Sequence, residues 1–115
     1  MTDTETTKDD ARARVIALVT QAEATVEVLE AKSLQGRWAM TAFSRYRVCE
    51  LLGIAPYGRY GGELRSDPAD LFDRAARLVD EMDVALDEVS WRLALGDALR
   101  SAAADVRMVR DAREV

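Results

Sequence analysis

The sequence contains no histidine, a single cysteine, two prolines and only two lysines. Without histidine there is no His-based metal site and no Ser-His-Asp or Cys-His nucleophile. Cys49 alone excludes an internal disulfide and reads as a small buried hydrophobe. No apolar run approaches the roughly 18 residues that a spanning helix needs, and residues 1–10 are polar. A membrane segment and a signal peptide are therefore not expected, and a cytoplasmic protein is. No stretch alternates apolar and polar residues between turns, so strands are not expected either. No internal repeat is present.

What is abundant favours helix. Of 115 residues, nineteen are alanine and twelve leucine, both strong helix formers. Hydrophobic residues make up 49% and charged residues 32%, a balance that folds rather than stays disordered. The length suits one helical domain over 1–115. Arginine outnumbers lysine fourteen to two, which reads as codon usage rather than selection for phosphate contacts. The net charge of −5 is unevenly spread: residues 1–31 carry −4, residues 32–65 carry +4 and residues 66–115 carry −5. A basic middle in an acidic chain either pairs with its own flanks or meets an outside polyanion.

Residues 1–7 are polar and expected to be disordered. Val15, Leu18, Ala22, Val26 and Leu29 recur at steps of three and four, which predicts a helix over about 8–33. A second helix is predicted over about 37–52, with Trp38, Ala42, Cys49 and Leu52 on one face and Phe43 and Tyr46 widening it. Its end is marked by Gly53, which suits a left-handed cap, by Ile54, which can pack back, and by Pro56. Residues 53–66 hold four of the six glycines and form a loop. Asp67 as N-cap, Pro68 at the first helical position and Asp70 in the first turn then open a long third helix.

Two apolar stripes run along that long segment. Leu71, Ala75, Leu78, Met82, Leu86, Val89 and Leu93 form the first; Val84, Trp91, Leu95, Leu99, Ala102, Val106 and Val109 form a second, displaced by more than a quarter turn. Gly96-Asp97 lies at the changeover, which predicts a break there and helices over about 68–94 and 97–112. The expected fold is thus all-α: a small three- to four-helix bundle with a long third helix broken near Gly96. Asp70–Arg74, Asp73–Arg77 and Glu88–Arg92 are spaced as i,i+4 surface pairs.

Three functional readings follow. The favoured one is a non-enzymatic adaptor or regulatory protein, without cofactor, that self-associates or docks a protein partner through the apolar faces of residues 71–109. Leu78, Met82, Leu86, Val89, Trp91 and Leu95 are its interface candidates, since one small core cannot easily cover both stripes.

The second reading rests on Cys49, Leu52, Gly53 and Ile54, which have the spacing of the first half of a helix-turn-helix. The segment is similar to the short helix-turn-helix that opens some insertion-sequence transposases. That likeness covers about 13 residues and implies a DNA-binding regulator using residues 45–65. Arg45, Arg47, Tyr57, Arg59, Tyr60 and Arg65 are its nucleic-acid candidates. The third reading is a Mg²⁺-dependent enzyme. Glu23, Glu27 and Glu30 line one side of the first helix, and Asp80, Asp83 and Asp87 line one side of the third. The Glu27/Glu30 spacing with Leu95-Gly96-Asp97 resembles the all-α nucleotide pyrophosphohydrolases of the MazG type, although their second-motif glutamate falls here on Ala94.

Overall fold

A computed structural model describes residues 3–33, 36–56 and 60–111, with side chains from Asp9 onward. Helix α1 spans Asp3–Ala31, so it begins before the predicted start and takes in residues 3–7, which were expected to be disordered. Acidic residues in the opening turns suit the positive end of the helix dipole, which favours extending the helix through them. Of the predicted stripe, Val15, Ala22 and Val26 have no exposure, and neither has Val19 beside them, while Leu18 and Leu29 are half-buried.

Gly36 breaks the chain by adopting φ 61°, a conformation that costs glycine little. The next turn, Arg37–Thr41, is a 3₁₀ helix and not the start of an α-helix. The Thr41 hydroxyl donates to the Trp38 carbonyl at 2.7 Å across this turn. Helix α2 follows over Ala42–Leu52. It ends as the residues require. Gly53 is left-handed, its N–H donates to the Glu50 carbonyl at 3.1 Å, and the Ile54 N–H donates to the Cys49 carbonyl at 3.0 Å.

Helix α3 spans Pro68–Glu81. The Asp67 carboxylate accepts from the Ala69 N–H at 3.0 Å, which confirms the cap read from the sequence. The long third helix is not continuous to Gly96. The chain leaves α3 at Met82, is extended through Ala85, makes a 3₁₀ turn over Leu86–Glu88 and enters helix α4, Val89–Asp111. The first stripe is therefore divided: Leu71, Ala75 and Leu78 lie on α3, Leu86 in the 3₁₀ turn, and Val89 and Leu93 on α4 beside Trp91 to Val109 of the second. Neither glycine nor proline marks the true break. Met82 turns into the core instead, its N–H donating to the Val79 carbonyl at 3.1 Å, and Arg92 from α4 donates to the Met82 carbonyl at 3.0 Å. Gly96 lies buried inside α4, beneath an ion pair between Asp80 of α3 and Arg100 of α4.

The result is a four-helix, all-α bundle, with no strand among the described residues. Helix α3 packs on α1 and on α4, and α4 packs on α2. Contact between α1 and α2 is slight, and a buried Glu23–Arg45 pair closes the ring there. Phe72, Leu71, Leu95, Leu99 and Val106 are fully enclosed. Each such side chain contributes about 1.5–3 kcal/mol by leaving water. Buried Ala75 and Ala76 on α3 and Ala98, Ala102 and Ala103 on α4 are small enough to let helix backbones approach closely.

Candidate interaction surfaces

The stripe that α2 buries differs from the one its apolar residues suggest. Thr41, Ser44, Arg45, Val48, Cys49 and Leu52 point inward, while Phe43 is 88% exposed. Phe43 was expected to widen the covered face. Two polar members of the true stripe, Ser44 and Arg45, find partners on distant helices, which a single-helix pattern does not register. Ser44 donates to Asp105 of α4 at 2.7 Å. Arg45 is 2% exposed; its Nη1 donates to Glu23 Oε2 of α1 at 2.6 Å and its Nε to Thr41 Oγ1 at 2.7 Å.

Glu23 is equally enclosed, and its Oε1 has no hydrogen-bond partner. Burial pushes its carboxyl up to about 7, Arg45 opposes the rise, and Glu30 and Glu27 add to it. The neighbouring Cys49 thiol is likewise pushed up by burial, to about 12, which leaves it un-ionised and inert near neutral pH. With both side chains enclosed, neither group is presented to a substrate. The Glu23–Arg45 pair links α1 to α2 inside the bundle.

That placement removes Arg45 from the nucleic-acid candidates. For Arg45 it realises the internal alternative, pairing with the acidic first helix, whereas Arg47 and Arg65 lie beside acids of the middle segment itself. Arg47 is half-exposed and lies 3.7 Å from Glu50; Arg65 is exposed and lies 2.8 Å from Glu63. Tyr60 is at the margin of exposure, its ring folded over Gly62 so closely that a Cβ there would come within 2.5 Å of the hydroxyl oxygen. Tyr57 and Arg59 lie outside the described residues. Residues 60–66 form no helix, so they supply no recognition helix after the Gly53 turn.

The interface candidates also separate. Met82 and Leu95 are core residues, enclosed because the chain reverses between them and brings both stripes inward. Val89 is half-buried. Trp91, also half-buried, ties three helices together: its Nε1–H donates to the Leu51 carbonyl of α2 at 2.8 Å, and Arg12 of α1 lies 5.2 Å above its ring. Leu86 is 92% exposed. Leu78 is half-buried and lines a surface groove.

Two surfaces remain. The first is apolar. Met40 and Phe43 precede Ser44, and Met108 follows Asp105 by one helical turn. All three are exposed, and they lie on the two segments that the Ser44–Asp105 hydrogen bond joins. Leu93 extends exposed apolar surface along α4. The second is the α1–α3 groove, of about 320 Å³, lined by Leu18, Arg74, Arg77, Leu78 and Glu81. The expected pairs of Arg74 with Asp70 and of Arg77 with Asp73 do not form. Both aspartates turn to Arg107 of α4, at 3.1 and 2.6 Å. Asp67 similarly pairs with Arg110.

The expected row of Asp80, Asp83 and Asp87 does not form on one helix, because Asp83 and Asp87 lie beyond the end of α3 in the connection to α4; no group of three or more Cys, Asp or Glu among the described residues is placed to hold an ion. Glu23 is committed to Arg45 and Asp80 to Arg100. No helix among the described residues is long and apolar enough to cross a membrane. Comparison with protein-family models, with curated proteins and with solved structures finds no match for this chain.

Proposed function

We propose that this chain is a non-enzymatic helical adaptor or regulatory protein that acts by protein–protein association, with the α2–α4 seam as a self-association face. The observation that carries the reading is the exposure of Met40, Phe43 and Met108 on the segments joined by the Ser44–Asp105 contact. A small acidic bundle gains nothing by holding a phenylalanine ring in water. Exposed apolar side chains beside satisfied polar ones are the composition of an association face. The occupant is a second copy because of where the charge sits. Residues 3–31, which carry −4, form α1, which packs mainly on α3 and only slightly on α2 and the Arg37–Thr41 turn. Two copies meeting seam to seam bury these apolar side chains and keep their most acidic helices apart.

Sedimentation velocity over a range of concentrations tests this. The wild type is expected to shift from monomer to dimer as concentration rises. Phe43→Ser is expected to stay monomeric with its thermal midpoint unchanged. A wild type that remains monomeric throughout, or a Phe43→Ser variant that still dimerises, refutes the assignment.

A further inference from the structure

The chain carries sulfur on four methionines and on Cys49, and the fold treats these side chains differently. Met1 lies outside the described residues. Met82 is 4% exposed and belongs to the core, and Cys49 is buried with its thiol held protonated near neutral pH. Met40, in the Arg37–Thr41 turn, is 69% exposed, and Met108, on α4, is 64% exposed. A thiolate is ordinarily the sulfur that meets an oxidant first. Here it is shielded by burial and by its proton, so the accessible reducing groups are the two thioethers on the α2–α4 seam.

We propose that Met40 and Met108 form a reversible oxidation site, whose conversion to sulfoxides by hydrogen peroxide turns the associating chain into a monomer. In each side chain a sulfur lone pair attacks one peroxide oxygen. An S–O bond forms as the O–O bond breaks, and the hydroxide released takes the proton from the transferred oxygen and departs as water. The thioether is oxidised by two electrons and the peroxide is reduced by two. In the return step two reductase thiols become a disulfide and the sulfoxide oxygen leaves as water.

The sulfoxide opposes association because it is polar, and burying a polar oxygen without a donor is unfavourable. Donors next to these positions along the chain are already engaged, the Ser44 hydroxyl with Asp105 and the Arg107 guanidinium with Asp70 and Asp73. In a two-fold dimer each copy brings both sulfoxides to the interface, so the effect is doubled. The attack needs sulfur in water and so proceeds on the monomer, which association protects. With Met82 shielded in the core, the fold survives the reaction. The effect on assembly rests on self-association at this seam; the choice of reacting sulfurs does not.

The test treats the full chain with hydrogen peroxide, maps added oxygen by peptide mass spectrometry and follows assembly by sedimentation velocity. Met40 and Met108 should gain oxygen at least about tenfold faster than Met82, with Cys49 unmodified and the thermal midpoint unchanged. The dimer dissociation constant should rise at least about tenfold. Methionine sulfoxide reductases of both stereospecificities with dithiothreitol should restore it, and Met40→Leu/Met108→Leu should dimerise with or without peroxide. Oxygen arriving as fast at Met82 or Cys49, or a thermal midpoint lowered by oxidation at Met40 and Met108, overturns the assignment of a fold-sparing site. An oxidised chain that still dimerises like the untreated one, or a double variant that peroxide still dissociates, overturns the switch and leaves self-association standing. An untreated chain that is monomeric throughout refutes self-association and the switch together, and the mapping still decides which sulfurs react.

Discussion

Replacing Glu23 by glutamine removes one negative charge from a fully enclosed site while keeping an oxygen that can accept from Arg45. The consequence is a pH dependence. In the folded protein the carboxyl is raised from 4.5 to about 7, burial outweighing the attraction of Arg45. A carboxyl with a folded pKa above its unfolded one supports the native state below the unfolded value. That support is lost as pH rises through the folded value. At about 1.4 kcal/mol per pH unit the whole effect is about 3 kcal/mol, and about 2 kcal/mol of it falls between about pH 5.5 and 8.5. This window also avoids the isoelectric point near 4.8. Glutamine does not titrate, so the variant lacks this component of the pH dependence. Urea denaturation followed by helical circular dichroism should therefore show the wild type losing about 2 kcal/mol relative to Glu23→Gln across that window. A difference that stays constant, or that widens in favour of the wild type as pH rises, refutes the reasoning. Arg45 would then be holding the carboxylate ionised against its burial.

Leu95→Ala should cost about 2–5 kcal/mol, because its fully enclosed side chain leaves a cavity. Leu86→Ala, on a side chain 92% exposed, should stay within about 0.5 kcal/mol; equal costs in urea denaturation would show that the chain does not reverse at 82–88. Gly96→Ala should stabilise by about 0.5 kcal/mol through helix propensity. The added Cβ meets only the Arg100 and Asp80 side-chain tips, at 3.2 and 3.4 Å, both free to shift. A loss of more than about 1 kcal/mol would show that the α3–α4 approach needs glycine there.

Much of the architecture was legible along the chain because local physics decides it. Val15, Val19 and Val26 of α1 face the core at their helical spacing, Gly53 and Ile54 close α2, and Asp67-Pro68 opens α3. Those signals act within one or two turns. The break after Glu81 was displaced to Gly96 because glycine is the local punctuation there, whereas the real turn depends on Met82 finding the core and on Arg92 reaching back to its carbonyl. Asp87 and Glu88, acids in the turn leading into α4, were the one local sign of where that helix begins.

The candidate surfaces were less legible, for the same reason. Composition and periodicity by themselves determined an all-α domain with amphipathic helices, a marked loop and two unequal apolar stripes. They could not say which polar residues would be buried, since Arg45 and Ser44 enter the core only because Glu23 and Asp105, 22 and 61 residues away, meet them. Nor could they tell which apolar residues would stay in water. Phe43 was excluded from the core once those polar contacts fixed the rotation of α2, and Leu95 was drawn into it once the chain reversed. The pairing of charges was also a tertiary outcome: Arg107 of α4 takes the aspartates of α3 and leaves Arg74 and Arg77 facing the groove. Helix propensity is a property of neighbours along the chain. Burial and charge pairing depend on which helices come together, and that is settled only when all four pack.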